Sequence, residues 1–152
     1  MHVGHVIPDS EWGMKSHSHP HHELIAVIQG RMRVSWPGGA REAVAGDVLL
    51  YPAGFPHDEI SDAREPVETI FIAFTCPSIQ SEGVVVAEDR RGRVRQAMRW
   101  LLEDRLAQGP GFGDARVALL RLIVNEFAFL RDAEVPGLVD RKSTRLNSSH
   151  RT

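Results

Sequence analysis

The chain of 152 residues has one cysteine, one tyrosine and no apolar run long enough to cross a bilayer. With Cys76 alone it cannot form an internal disulfide, which is typical of proteins from reducing compartments. Its start lacks the basic segment and apolar stretch of an export signal. We therefore expect a cytoplasmic protein with no membrane segment. The apolar fraction of 42% and the charged fraction of 25% are ordinary for one globular domain.

Lysine and asparagine are nearly absent until the last residues. Up to Val139 the sequence has one of each against thirteen arginines, and then its composition changes abruptly. Residues 140–152 resemble the translation of a sequencing adapter, so we predict a non-native tail and a natural protein that continues past Val139. An ordinary polar tail is the alternative.

Without this tail the chain is acidic. The tail carries four basic side chains and one acidic one, so residues 1–139 have a net charge of −5 against −2 for the whole chain. Proteins that bind phosphate backbones need a basic surface. We therefore expect that these residues do not bind DNA by themselves.

Short apolar segments separated by glycine and proline occupy the first part of the chain. Segments 24–28, 31–36, 48–51 and 68–74 predict strands, with turns at Gln29-Gly30 and at Pro37-Gly38-Gly39. Short strands at such intervals indicate a small barrel or sandwich.

The region after Glu88 has helical periodicity. A stripe at i, i+3, i+4, i+7 and i+8 predicts an amphipathic helix; its members are Val94, Ala97, Met98, Leu101 and Leu102. Glycine and proline in residues 108–113 end it, and Asp114 is a candidate N-cap for a second helix from about Ala115 to Arg131. The second helix is more apolar than one stripe requires, which indicates partners on more than one side. It either packs on the barrel alone or also forms a subunit interface. Pro136-Gly137 then begins a linker.

Two histidine-bearing segments carry the chemistry of this sequence. One contains His17, His19 and Glu23, and the other ends at His57. In a strand, residues i and i+2 point to the same face, so His17 and His19 can converge. Three imidazoles and one carboxylate suit iron, manganese, nickel, copper or zinc, so we predict one divalent transition metal at these four residues. Of the remaining histidines, we expect His21 and His22 to be surface residues and His2 and His5 to be solvated.

The two segments resemble the two motifs of the cupin superfamily. The first motif has two histidines one residue apart, a glutamate and a glycine, here His17, His19, Glu23 and Gly30; the second runs from Gly46 through Pro52-x-Gly54 to His57. The resemblance implies a mainly β fold, a jelly-roll β-barrel, here followed by two antiparallel α-helices. Many sensory cupins use the barrel cavity for organic ligands without metal, so a centre without a metal ion is an open alternative.

A barrel, two helices and a linker resemble the N-terminal ligand-binding and dimerisation domain of AraC-type transcription regulators. The resemblance implies a barrel in residues 1–88, with a flexible arm before Trp12 over the pocket, and a dimerisation segment in residues 89–139. A small-molecule effector would bind at the four metal ligands and Tyr51. A homodimer would form through the helices, at Leu101, Leu119, Leu122 and Leu130. DNA would be bound only by a helix-turn-helix domain that is absent from these 152 residues.

A free-standing metal-dependent cupin enzyme, a dioxygenase or isomerase, is the alternative. A centre of three histidines and one glutamate leaves coordination positions open for substrate or oxygen. The resemblance also speaks against this alternative, because a minimal cupin enzyme does not need a helical segment of about fifty residues. Sugars, aromatic acids and amino-acid derivatives all fit an apolar barrel with a few polar groups.

Overall fold

Nine strands and two helices make up the described part of the chain, residues 1–107 and 112–132, in the computed structural model. The strands are β1 His2–Val6, β2 Gly13–His17, β3 His22–Gln29, β4 Arg31–Trp36, β5 Gly39–Val44, β6 Asp47–Tyr51, β7 His57–Ser61, β8 Glu68–Phe74 and β9 Val85–Glu88. The helices are α1 Arg93–Ala107 and α2 Phe112–Asp132. The predicted fold, a mainly β cupin-like jelly roll followed by two helices, is confirmed. The predicted linker at Pro136-Gly137 and the predicted tail lie outside the described residues.

The strands form two antiparallel sheets. The five-stranded sheet has the order β1-β8-β3-β6-β9, and the four-stranded sheet has the order β2-β7-β4-β5. In β4, Met32 and Val34 are buried while Arg33 between them is exposed, which is the alternation of a sheet with one solvated face. Pairing of β2 with β7 brings together the end of β2 and the start of β7, where His17 and His57 of the two motifs lie.

The five-stranded sheet is covered on both faces, which explains why β3 and β6 are apolar without alternation. Leu24 and Leu50 face a core shared with the helices, and Ile25 and Leu49 face a second core shared with the four-stranded sheet. Successive residues of a strand point to opposite faces, so both sets must be apolar. The second core fills the barrel interior below the histidines.

The helices pack on the outer face of the five-stranded sheet. The predicted stripe of α1 is confirmed, because Val94, Ala97, Met98 and Leu101 are fully buried. The helix α2 begins at Phe112, so Asp114 lies within its first turn and is not the N-cap that we predicted. Neither helix is long and apolar enough to span a bilayer, which holds for residues 1–107 and 112–132.

The first residues form an edge strand and not a flexible arm, so that expectation is wrong for residues 2–6. β1 pairs with β8 along its whole length, and Val3 is buried. The Arg105 guanidinium donates a hydrogen bond of 2.7 Å to the Val3 carbonyl, which ties the strand to α1. His5 is also held, since its Nε2 lies 2.8 Å from Glu68 Oε2.

Candidate metal centre

The three predicted histidine ligands meet where β2 and β7 pair. His17 is the last residue of β2 and lies opposite His57, the first residue of β7. Their ring centroids are 4.6 Å apart. His19, in the connection to β3, places its ring centroid 5.2 Å from that of His57 and 5.8 Å from that of His17.

Each of these rings is oriented by a backbone carbonyl. The Nδ1 atoms of His17, His19 and His57 donate to the carbonyls of Lys15, His21 and Phe55, at 2.8, 2.8 and 2.9 Å. A carbonyl oxygen only accepts, so each Nδ1 carries the proton and each Nε2 keeps a free lone pair. This is the arrangement that fixes the tautomer of metal-binding histidines.

One ring nitrogen of each histidine lies close enough to the others to share one ion. The ligand atoms of His17, His19 and His57 all lie within 4.8 Å of one another. Atoms bound to one ion at about 2.1 Å are at most about 4.2 Å apart, so small side-chain movements suffice. The Nε2 atoms of His19 and His57 are buried and have no hydrogen-bond partner among the described residues. Buried polar atoms of this kind call for a bound group.

Glu23, in β3, adds a carboxylate beside the imidazoles. Its Oε2 lies 3.5 Å from His19 Nε2, close but without the geometry of a hydrogen bond. Burial raises the pKa of Glu23, and the rings of His19 and His17 act in the opposite direction. The four residues that the sequence predicts as ligands therefore lie together, and their chemistry fits a divalent transition metal.

The deepest of the four is His57. Its side chain is fully buried, and burial lowers the pKa of His57 to about 4, although the Phe55 carbonyl favours the protonated ring. The ring is therefore neutral at pH 7, which is the form that binds metal. Tyr51, predicted to line the cavity, is fully buried and stacks on His57 with ring centroids 3.8 Å apart.

The sequence analysis missed Glu59. This residue lies two positions after His57 in β7 and is 4% exposed. Burial raises the pKa of Glu59 to about 8, and the neighbouring Glu23 carboxylate contributes to the increase. Ligand oxygens of Glu23 and Glu59 and a ring nitrogen of His57 lie within 4.8 Å of one another. The spacing of His57 and Glu59, i and i+2 on a strand, is the signal that could have indicated it.

Neither His21 nor His22 is a free surface residue, so that expectation is wrong. The His21 ring stacks on His19 with centroids 4.3 Å apart and planes 2° apart, and it forms a further group of potential ligands with His19 and Glu23. His22 Nδ1 accepts from the Ala53 amide at 3.0 Å, and its Nε2 donates to the Cys76 carbonyl at 3.1 Å.

The loop before His57 is held by further backbone contacts. The Gly54 amide donates to the His19 carbonyl at 2.7 Å, from a backbone with φ of 77°. A side chain is disfavoured at that φ, which explains the glycine. His22 and Gly54 thereby fix the loop whose Phe55 carbonyl orients His57.

The residues predicted for dimerisation lie in different environments. Leu101 and Leu130 are fully buried in the core between the helices and the sheet, so they offer no surface to a second chain. Leu119 is partly buried against the same core. Leu122 is 40% exposed, and only this leucine of the four faces largely outward.

The comparisons with known proteins agree with this geometry. The cupin domain family matches residues 5–73, a span that contains all four predicted ligands and Glu59. Residues 5–73 are therefore similar to a cupin domain. No curated protein matches the chain in sequence.

Several solved structures are similar to this chain at low sequence identity. YhaK from Escherichia coli matches with a TM-score of 0.50 and 14% identity, over 60% of this chain and 43% of that chain. AerE from Microcystis aeruginosa matches with a TM-score of 0.47 and 19% identity, over 57% of this chain and 41% of that chain. A cupin protein from Bacteroides fragilis matches with a TM-score of 0.43 and 22% identity, over 55% and 74%. The match thus spans less than half of YhaK and of AerE, and these likenesses concern the fold alone.

Proposed function

We propose that the cupin domain binds one divalent transition metal through His17, His19, Glu23 and His57, and that a small molecule binds at this centre. The observation that carries the proposal is the pair of buried Nε2 atoms, on His19 and His57, without hydrogen-bond partners. Their Nδ1 atoms are already bonded to carbonyls, so the lone pairs are preset for a cation. When bound, a metal of this kind supplies Lewis-acid coordination for an oxygen or nitrogen of the ligand.

The chain's own residues orient and shield the site. Tyr51 packs against the deep ring of His57, while the side chains of His19 and Glu23 keep 13% and 14% of their surface exposed. The centre is therefore closed toward the core and open on the side of His17, which is partly exposed. A small molecule would approach from that side.

Metal analysis of the purified protein tests this assignment. We expect His57→Ala to lose most of the bound metal, because it removes the deepest ligand. His2→Ala is the matched control, since His2 is exposed and lies outside the cluster. Equal metal content in both variants would contradict the assignment.

We further propose that the domain is the effector-sensing part of an AraC-type transcription regulator. The two helices packed beside the barrel and the acidic charge of residues 1–139 support this proposal. The small molecule is then an effector, and DNA contacts belong to a helix-turn-helix domain outside these 152 residues. The barrel and the helices would link effector binding to pairing of the chains.

A second apolar stripe on α2 supports self-association with a second copy of the chain. Five exposed positions follow the alternating three and four spacing of a helix-pairing seam: Ala115, Ala118, Leu122, Asn125 and Phe129. Small residues at one end allow close approach of two helices, and Phe129 is 51% exposed at the other. A polar asparagine in such a seam sets the register of pairing.

Charged substitutions on α2 test the pairing. We expect Leu122→Asp to convert a dimer to a monomer in sedimentation, because it places a charge in the seam. Val117→Asp is the matched control: Val117 is 49% exposed on the same helix but lies off the stripe. A parent protein that remains monomeric at high concentration, or equal behaviour of both variants, would refute the interface.

A metal-dependent cupin enzyme is the second candidate, and the open side of the centre favours it. Partial exposure of His17, His19 and Glu23 leaves room for a reactant as well as an effector. Incubation of the metal-loaded protein with sugars, aromatic acids and amino-acid derivatives separates the two. A compound that raises the melting temperature and is recovered unchanged supports the sensor. A compound that is isomerised, or consumed together with oxygen, supports the enzyme.

A further inference from the structure

A partly buried glutamate and a fully buried one, from opposite sheets, approach each other inside the barrel. Glu23 belongs to β3 of the five-stranded sheet, and Glu59 belongs to β7 of the four-stranded sheet. A carboxylate oxygen of each lies within 4.8 Å of the other and of a ring nitrogen of His57. The site thus contains a carboxylate that the cupin motifs do not include.

Two neighbouring carboxyl groups inside the barrel can both be ionised only if a positive charge compensates them. Transfer of an ionised carboxylate out of water is costly unless it is paired or coordinates a metal. Within residues 1–107 and 112–132, no arginine or lysine forms an ion pair with Glu23 or Glu59.

A second observation, the buried ring nitrogen of His57, points to a ligand at the same place. His57 is fully buried, and its Nε2 has no hydrogen-bond partner among the described residues. On β7, His57 and Glu59 are i and i+2 and therefore share a face, the one turned into the barrel. A ring nitrogen of His57 and one oxygen of each carboxylate therefore lie within 4.8 Å of one another.

We propose that Glu59 is a second carboxylate ligand of the metal centre, an inference that rests on the proposed metal site. Glu59 completes the deep side of the centre, opposite the partly exposed His17. A second carboxylate makes the donor set richer in oxygen. Oxygen donors suit Mn²⁺, whereas imidazole suits Zn²⁺ and Cu²⁺, so Glu59 shifts the preference of the site toward Mn²⁺.

Titration of the metal-free protein with Mn²⁺ and with Zn²⁺ tests the role of Glu59. We expect Glu59→Gln to raise the Kd for Mn²⁺ by about tenfold or more, a loss typical of a residue that supports a metal site, and to raise the Kd for Zn²⁺ less. Glu103→Gln is the control, since it removes the same charge from an exposed position of α1. Glu59→Asp, which keeps the charge but withdraws it by one methylene, should bind Mn²⁺ with an intermediate Kd.

A purely structural role for Glu59 predicts a different pattern. Glu59→Gln removes a buried carboxyl group, whose ionisation is costly there, and keeps the shape, so the metal-free variant should melt at or above the temperature of the parent. If that variant binds Mn²⁺ and Zn²⁺ like the parent, the inference about Glu59 is overturned while the four-residue site stands. If the metal-free variant melts well below the parent, Glu59 serves the fold and the inference also fails. If the parent binds neither ion, both proposals fail.

Discussion

Metal-linked stability at His57 gives the most direct test of the proposed site. A ligand present at one hundred times its Kd stabilises the folded state by about 2.7 kcal/mol. For a chain of this size, 1 kcal/mol corresponds to roughly 2–4 °C in melting temperature, so saturation should raise Tm by about 5–10 °C over the metal-free protein. The increase has a structural origin, because the buried Nε2 atoms of His19 and His57 gain a partner.

The perturbation is His57→Ala, and the measured quantity is the difference in Tm with metal and with chelator. The substitution itself lowers the melting temperature, since His57 is fully buried and Tyr51 stacks on its ring. That cost is present in both samples of the variant and cancels in the difference. We expect the metal-dependent shift to fall close to zero.

The assay is thermal unfolding followed by calorimetry or circular dichroism. It compares the parent with His57→Ala and with the control His2→Ala. The control should keep the full shift, because His2 lies outside the cluster. A shift of 5 °C or more that survives His57→Ala would refute the assignment of His57 as a ligand. A parent protein whose Tm does not respond to iron, manganese, nickel, copper or zinc would refute the metal site altogether.

Four further outcomes follow from the fold. Leu101→Ala should lower the free energy of unfolding by about 2–5 kcal/mol in urea because Leu101 is fully buried, whereas the change for the exposed Leu122→Ala should stay within about 0.5 kcal/mol. Arg91→Ala should lower the urea midpoint, because it leaves the buried Glu126 without its two hydrogen bonds of 2.9 and 2.6 Å, and adding Glu126→Gln should recover much of the loss. The backbone amides of Glu65 and Arg64 donate to the Asp62 carboxylate and lower the pKa of Asp62. The ionised carboxylate therefore stabilises the fold above the ordinary carboxyl pKa, and this contribution is lost as pH falls through the lowered pKa. Asp62→Asn should therefore cost stability at neutral pH and little in acid, in unfolding curves measured at both. The 152-residue chain should not bind a DNA duplex specifically in a gel-shift assay at physiological salt, since residues 1–139 carry a net charge of −5. A specific shift would contradict the proposal that a separate domain contacts DNA.

The metal cluster could be predicted only in part from the sequence. Alternation along a strand predicted that His17 and His19 converge, and their rings do lie close together, although His19 lies in the connection after β2 and not in the strand. The same rule applies to His57 and Glu59, but it shows only that they share a face and not which residues lie opposite. Glu59 lies beside Glu23 because β7 of one sheet faces β3 of the other, which is a long-range arrangement.

The helices show the same division between local pattern and packing. The stripe of α1 was predicted correctly, because one apolar face of an amphipathic helix identifies itself by its spacing. In α2 both faces are apolar, and periodicity does not indicate which one meets the sheet. Packing buries Leu130 and leaves Leu122 exposed, and this alone selects the residue available for pairing with a second chain.

The sequence by itself determined the β character of the barrel, the strands around Leu24 and Leu49, and the chemical type of the candidate metal ligands. These features depend on neighbouring residues, through backbone conformation, side-chain alternation and the donor atoms present. The tertiary structure alone decided that residues 2–6 form an edge strand, that His21 stacks on His19, and that a second carboxylate meets His57. Those contacts join segments through sheet pairing and ring geometry, and their free energy depends on burial that only the folded chain creates.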